Sequence, residues 1–333
     1  MCLPEERTNM IAEHIIVGEG TDFPLKGVLT LPDDSSRPVP GVVLVQGSGS
    51  TDRDSKVYKV TPFKDIAEGL AQRGIASIRY DKRTFAHARK FLKQEQPFTV
   101  FDESMEDAIL AANILRADPR IGKVFIFGHS QGGMLAGRID AEGGDFDGLI
   151  IAAGSTRNLR TILADQTNEI TQRQKGPLKW IAARFFGWML SKFDRMDTLD
   201  LEESKKLKMM GGTTGYYFKD MEAHPPSRYL KGIEKPVYVF QGAEDFQVRV
   251  EKDFAGFVEL LAENPHATLK VYPGLNHVFT DSHAHGTIKD YKVAKKVDAG
   301  MLDDVAAWIH AVADDADSAS AIETPEREKE GRS

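Results

Sequence analysis

The sequence predicts an α/β fold built on a mainly parallel sheet. Three observations carry this expectation. Short runs rich in β-branched residues (GVVLV, VFIF, LIIAA and VYVF) are apolar throughout rather than alternating, as in strands covered by helices on both faces. Segments of helical periodicity fall between them. The two earliest runs, His14–Val17 and Leu25–Leu31, alternate more regularly, as an antiparallel edge does.

Eight strands are expected in all: these two, then Gly41–Val45, Ala76–Tyr80, Lys123–Phe127, Gly148–Ala152, Pro236–Phe240 and Thr268–Val271. Thr61 followed by Pro62 reads as a helix start, a capping residue with proline in the first turn, and Gly74 suits the helix end. Phe101–Arg116 carries Met105, Ile109, Ala112 and Leu115 on one helical face. Val250–Leu261 and Asp290–Val312 read as two more amphipathic helices. Between Ala153 and Pro236 lie about eighty residues of helical but not strand character, too long for an ordinary crossover. The expected organisation is a core of residues 1–154 and 233–312, a helical cap over 155–232, and a polar, acidic tail over 313–333 that composition marks as disordered.

Composition narrows the function. The 333 residues are 41% hydrophobic and 28% charged, ordinary for a soluble globular chain. A formal net charge of -7 argues against nucleic acid as a partner, because phosphate binding needs a basic field. Cys2 is the single cysteine, so no intrachain disulfide can form. The opening MCLPEERTNM lacks an apolar signal core, and no run is long enough to cross a bilayer. A cytoplasmic protein is expected, with no cofactor, no metal and no membrane contact. Its oligomeric state is left open.

The chemistry concentrates where apolar runs end. VFIFGHSQGG places Ser130 between a buried strand and a helix, with Gly128 and Gly132 two positions either side. A sharp strand-to-helix turn needs small residues there, and it aims the serine and the helix N-terminus at one spot. A serine hydroxyl is a weak nucleophile that needs a base, and the base needs an orienting acid. Asp245 follows VYVFQG and His277 follows LKVYPG, each just beyond an expected strand. The order Ser130, Asp245, His277 therefore collects at the carboxyl edge of the sheet, where open α/β sheets bind ligands. Glu244 competes with its neighbour Asp245 for the acid, and Asp245 is preferred. His283 and His285 follow in the same loop, farther from the strand. With Asp281 they could suggest a metal site, but a solvated loop is the better account.

Gly47-Ser48-Gly49 follows the third strand, and its backbone amides can turn inward. The N–H groups of Ser48 and Gln131 are the candidate oxyanion hole. In the cap, Leu178, Ile181, Phe185 and Trp188 recur at helical spacing, with Lys179, Arg184 and Lys192 elsewhere on the helix. That pattern suits either a membrane-touching helix or a lid packed over the core, and the chain's acidity favours the lid. Trp188 is a candidate pocket residue, as are Tyr216 and Tyr217 behind Gly211-Gly212.

QGSGSTDRD (46–54), RYDKR (79–83), GHSQGG (128–133), QGAEDFQV (241–248) and NHVF (276–279) together resemble motifs of the α/β-hydrolase superfamily. The nearer likeness is to a bacterial lineage of serine esterases related to dienelactone hydrolases and prolyl-oligopeptidase-like peptidases. It spans residues 12 to 312 apart from the cap. Gln46 stands where that lineage usually has histidine, and Ser130 where dienelactone hydrolases have cysteine. His129 and Asp81 match positions that are more often structural. The resemblance implies a serine carboxylesterase acting on small to medium esters through an acyl-enzyme. An aminopeptidase or acyltransferase could use the same residues, and a ligand-binding protein could keep the pocket without turnover.

Overall fold

A computed structural model describes residues 10–33, 37–173, 176–282 and 286–322. Its eight strands are β1 (Met10–Val17), β2 (Leu25–Pro32), β3 (Val39–Val45), β4 (Ala76–Tyr80), β5 (Ile121–His129), β6 (Gly148–Ala152), β7 (Val237–Gly242) and β8 (Ala267–Tyr272). They form one sheet in the order β1-β2-β4-β3-β5-β6-β7-β8. The β1–β2 and β2–β4 pairs are antiparallel and every other pair is parallel. Each run read as a strand is a strand, and the alternating pair forms the antiparallel edge.

The all-apolar runs bury both faces, because successive side chains point to opposite sides of a sheet. On one side Val42, Leu44, Phe125 and Phe127 pack with Phe63, Ile66 and Leu70 of α1 (Pro62–Ala71) and with Met301, Val305 and Ile309 near the C-terminus. On the other, Val43, Val45, Ile126 and Ile151 meet Ala108, Ala112 and Leu115 of α2 (Glu106–Ala117) and Leu135 and Ile139 of α3 (Gln131–Ile139). The result is a helix–sheet–helix sandwich.

Some helix ends differ from expectation. Thr61 precedes α1, but its side chain makes no capping bond; its carbonyl accepts from the Asp65 N–H at 3.0 Å. Gly74, at φ 77°, ends the helix as expected. The region Asp290–Val312 is not one helix. A single turn at Asp290–Lys292 is followed by extended chain, and Val297 bridges Thr280. The last helix starts only at Ala299, where Asp298 Oδ1 caps the Met301 N–H at 2.8 Å. It then runs to Ile322, past the point where a disordered tail was expected. Alanine-rich composition keeps that polar stretch helical; residues 323–333 lie outside the described chain.

Between β6 and β7 the described residues form helices and no strand. The longer ones are α4 (Leu159–Arg173), α5 (Pro177–Asp197) and α6 (Gly215–Ala223). Helix α5 buries Met189, Phe193 and Met196, and Phe193 meets Phe218 of α6 edge-on at 4.9 Å. Two later helices follow in the core, α7 (Ala255–Leu260) and α8 (Ala299–Ile322). Among the described residues no helix is long and apolar enough to cross a membrane.

The packing of β5, α3 and β3 is close enough to forbid side chains. A Cβ on Gly132 would lie 2.3 Å from the Val45 carbonyl oxygen, and one on Gly128 would lie 2.3 Å from that of Gly132. Gly187, within α5, has nothing within 4 Å of such a Cβ. Gly132→Ala should lower stability by about 1–3 kcal/mol or more through overpacking. Gly187→Ala should raise it by about 0.4–1 kcal/mol through the unfolded chain. Urea midpoints of the two variants on opposite sides of wild type would bear this out; coincident midpoints would count against the packing described.

Candidate active site

The turn between β5 and α3 places Ser130. Its backbone sits at φ 55°, ψ -116°, a region few non-glycine residues adopt. The strain is held by the surrounding backbone: Ser130 N–H donates to the Ala152 carbonyl at 2.9 Å, and its own carbonyl accepts from Met134 N–H at 3.1 Å. Ser130 precedes α3, yet its side chain makes no capping bond, so the hydroxyl is not committed to the helix. The loop after β3 passes over it. A Cβ on Gly47 would lie 3.0 Å from Ser130 Cβ and 3.5 Å from its Oγ.

Asp245 and His277 meet beyond β7 and β8. His277 Nδ1 bonds Asp245 Oδ2 at 2.7 Å, and both residues are buried. The other Asp245 oxygen accepts the N–H groups of Gln247 at 2.7 Å and Val248 at 3.0 Å. Gln241 Nε2 adds a longer bond to Oδ2 at 3.3 Å. Asp245, and not Glu244, is thus the carboxylate on His277. Asn276 shapes the turn that carries the histidine, its Oδ1 accepting from the N–H groups of Val278 and Thr280. His277 and Ser130 make no direct hydrogen bond in this arrangement. They are joined one residue away, where His129 Nε2 donates to the His277 carbonyl at 2.8 Å. The two imidazole rings lie 4.7 Å apart.

The two amides expected to form an oxyanion hole occupy different settings. Gln131 N–H opens α3, where the first N–H groups have no intrahelical acceptor. Ser48 sits in the exposed bend after β3. Gln46 Nε2 donates to the Tyr80 carbonyl, which is how a glutamine holds the base of this loop. Farther along, Arg53 grips Asp81 through Nε and Nη2 at 3.0 and 2.8 Å, and Arg79 Nε bonds Asp54 at 2.9 Å. Asp81 is therefore a tether between the loops after β3 and β4.

Two residues not singled out in the sequence, Lys82 and Glu103, complete the site together with Tyr217. Lys82 Nζ donates to the Gly47 carbonyl at 2.9 Å and lies 3.4 Å from Glu103 Oε1. The Tyr217 hydroxyl donates to Glu103 Oε2 at 2.6 Å and accepts from Gln131 Nε2 at 2.8 Å. A buried polar chain thus runs from the Gly47 loop through Lys82, Glu103 and Tyr217 to Gln131. Burial, and then the Glu103 charge, push the Tyr217 hydroxyl well above its ordinary range, so it stays protonated. The hint in the sequence was the charge cluster Asp81-Lys82-Arg83 directly behind an apolar strand.

The expected pocket residues divide. Tyr217 is buried beside Gln131. Tyr216 turns the other way, with Lys205 Nζ 5.3 Å from its ring centre. Trp188 is 56% exposed and lies on the outer side of α5, so the expectation that it walls the pocket is corrected. Its neighbour Met189 faces inward, and one residue along a helix rotates the side chain by about 100°. A cavity of about 550 Å³ does lie between α3 and the helical segment, lined by Met134, Leu135, Phe193, Phe218 and Met221 among others. Among the described residues no group of three or more His, Cys, Asp or Glu could hold a metal. His283 and His285 lie outside them.

Known proteins resemble this chain over most of its length. A model of the alpha/beta hydrolase family matches residues 42–289. The chain belongs to that family. Esterase EstD of Thermotoga maritima is 31% identical over 288 residues, which cover 86% of this chain and 65% of EstD. The chain thus spans just under two thirds of that relative. The Pyrococcus furiosus esterase PF2001 shares the fold at a TM-score of 0.56 and 15% identity, over 91% of each chain. A dienelactone hydrolase from Anabaena variabilis does so at 0.51 and 17%, over 91% of this chain and 98% of its own.

His129 offers a test of the site's interior. Burial, with a lesser push from His277, depresses its pKa to about 3, whereas an unfolded histidine titrates near 6.5. The folded chain therefore holds it neutral, which stabilises the fold above about pH 6.5 and is lost as pH falls from there towards 3. Urea midpoints of wild type should drop between pH 7 and pH 5. His129→Asn, which keeps a donor for the His277 carbonyl, should lose less over that interval. An identical drop in both would contradict a His129 held neutral in the fold.

Proposed function

We propose that this α/β hydrolase is a serine carboxylesterase, with Ser130 as nucleophile, His277 as base and Asp245 as the orienting acid. The observation that carries the reading is the buried 2.7 Å bond from His277 Nδ1 to Asp245 Oδ2, at the sheet edge where the tight turn presents Ser130. An acid on Nδ1 fixes the tautomer that leaves Nε2 free to take the serine proton, and it stabilises the imidazolium that forms. Bonds between a nucleophile and its base are often long or poorly aligned before the Michaelis complex forms, so a direct Ser130–His277 bond is not required for the assignment.

The serine oxygen attacks the ester carbonyl. The developing oxyanion is held by the N–H groups of Gln131 and Ser48. His277 then gives its proton to the departing alcohol, leaving an acyl-enzyme. Water, activated by the same histidine, releases the acid and restores Ser130. Lys82, Glu103 and Tyr217 touch none of the reacting atoms; they hold the Gly47 loop and Gln131 in register. Residues 155–232 act as the cap over a core that takes small or medium esters in the cytoplasm; the cavity lined by Met134, Phe193 and Phe218 adjoins α3 but is not lined by Ser130, Asp245 or His277. The names of EstD and the Pyrococcus esterase favour ester over amide substrates, although a peptidase or acyltransferase would use the same three residues.

Ser130→Ala should lower kcat on an activated ester by roughly 10⁶ with circular dichroism unchanged. An alanine variant with wild-type turnover would end the assignment. The acid is tested separately, because an isosteric amide keeps the shape but favours the wrong tautomer. Asp245→Asn should cost roughly 10⁴ in kcat, while Glu244→Gln should stay within about tenfold of wild type. If Glu244→Gln is the inactive one, Asp245 is not the acid.

A further inference from the structure

Helix α5 has a second face that the esterase chemistry does not use. Its inner face buries Met189, Phe193 and Met196. Its outer face exposes Leu178, Trp180, Ile181, Phe185 and Trp188 to between 56% and 68%. Large apolar side chains so exposed and so contiguous mark an interaction surface rather than ordinary solvent contact. Trp180, Arg184, Trp188 and Lys192 follow one another at four-residue spacing, so they form a single ridge along the helix. The cations lie against the rings: Arg184 is 6.0 Å from the Trp180 ring centre and Lys192 Nζ is 4.3 Å from that of Trp188. Ile181 and Phe185 run alongside.

Charge decides what fits. From Pro177 to Phe193 the helix carries Lys179, Arg184 and Lys192 and no carboxylate. The first acids beyond, Asp194 and Asp197, are both engaged by Arg160. The chain as a whole is acidic, at -7, so this apolar, locally basic strip differs from the remainder in both respects. We propose that the outer face of α5 seats the protein on an anionic phospholipid surface. Tryptophan rings suit the headgroup boundary, flanking Arg and Lys reach lipid phosphates, and Phe185 and Ile181 enter the acyl layer. A second copy fits less well. Two such faces would bring like cations to one seam with no carboxylate of their own to pair with. Turning the face inward as a lid would expose the three residues now buried.

The test uses the whole chain and vesicles of phosphatidylcholine with or without phosphatidylglycerol. Two of the three tryptophans, Trp180 and Trp188, lie on the ridge, while Trp308 packs on Phe125 at 5.9 Å. Anionic vesicles at low salt should sediment the protein and shift its tryptophan emission to the blue, and high salt should release it. Trp180→Ser with Phe185→Ser, and separately Lys179→Glu with Arg184→Glu, should each weaken partitioning about tenfold or more. Both pairs should keep wild-type turnover of a soluble short-chain ester. Failure to bind anionic vesicles, or equal binding to neutral ones, overturns the proposal. So does a dimer in sedimentation velocity that the Trp180→Ser/Phe185→Ser pair dissolves while vesicle binding is unaffected. A changed acyl-length profile with unchanged partitioning overturns it too, in favour of a lid. Sedimentation, emission and oligomeric state are read without any Ser130 chemistry, so the surface and the catalytic reading fail or stand separately.

Discussion

Everything at the carboxyl edge depends on how closely three stretches of backbone approach one another. Gly128 and Gly132 sit where β5, the start of α3 and the end of β3 come within contact distances that exclude a Cβ, and one on Gly47 in the following loop would lie 3.0 Å from Ser130 Cβ. Ser130, between two of these glycines, takes a positive φ of 55°. The strain at Ser130 is carried by the flanking strands, since its N–H is fixed to β6 and its carbonyl to the first turn of α3. A local cost is thereby spread over the most buried part of the molecule.

Around that contact the loops are fastened by charge rather than by apolar packing. Arg53–Asp81 and Arg79–Asp54 tie the loop after β3 to β4 and the turn behind it, and both pairs have one partner largely buried. Ion pairs so placed add little net stability when intact, but they are costly to break one-sidedly, because the remaining charge is stranded. Their effect is to fix one arrangement of the loops among the many that glycine-rich backbone allows. Lys82 goes further, since its single ammonium group serves a backbone carbonyl of one loop and a carboxylate of the helix-leading segment at once.

The sheet was readable in the sequence because its central strands are apolar on both faces, a pattern no solvent-facing element needs. Asp245 and His277 were readable for a related reason: each follows an apolar run directly, and strand ends converge by topology. Other features depend on contacts remote in sequence and left little local trace. Glu103 and Tyr217 look like ordinary helix residues until the fold brings them together across more than a hundred positions. Trp188 misled because spacing shows that a helix has an apolar face, but not which of two apolar faces turns inward. The stretch Asp290–Val312 misled because Asp298 caps a new helix in mid-run, and a capping aspartate looks the same as a surface one in a periodic segment. Beyond Asp314 composition suggested a loose tail, whereas alanine content let the helix continue.

The Tyr217 hydroxyl has a consequence for how such proteins can diverge. Helical segments between β6 and β7 look like cassettes, free to be exchanged so that a shared core meets new substrates. Here the cassette supplies one hydroxyl to a core glutamate and to the side chain of Gln131, next to Ser130. A chimera that replaces 155–232 without that hydroxyl would leave Glu103 and Gln131 short of a partner in a place water scarcely reaches. Recombination at these boundaries is therefore restricted to donors with a matching hydroxyl, or must be accompanied by changes at 82 and 103. Point changes inside the segment leave that hydroxyl in place, whereas wholesale exchange removes it.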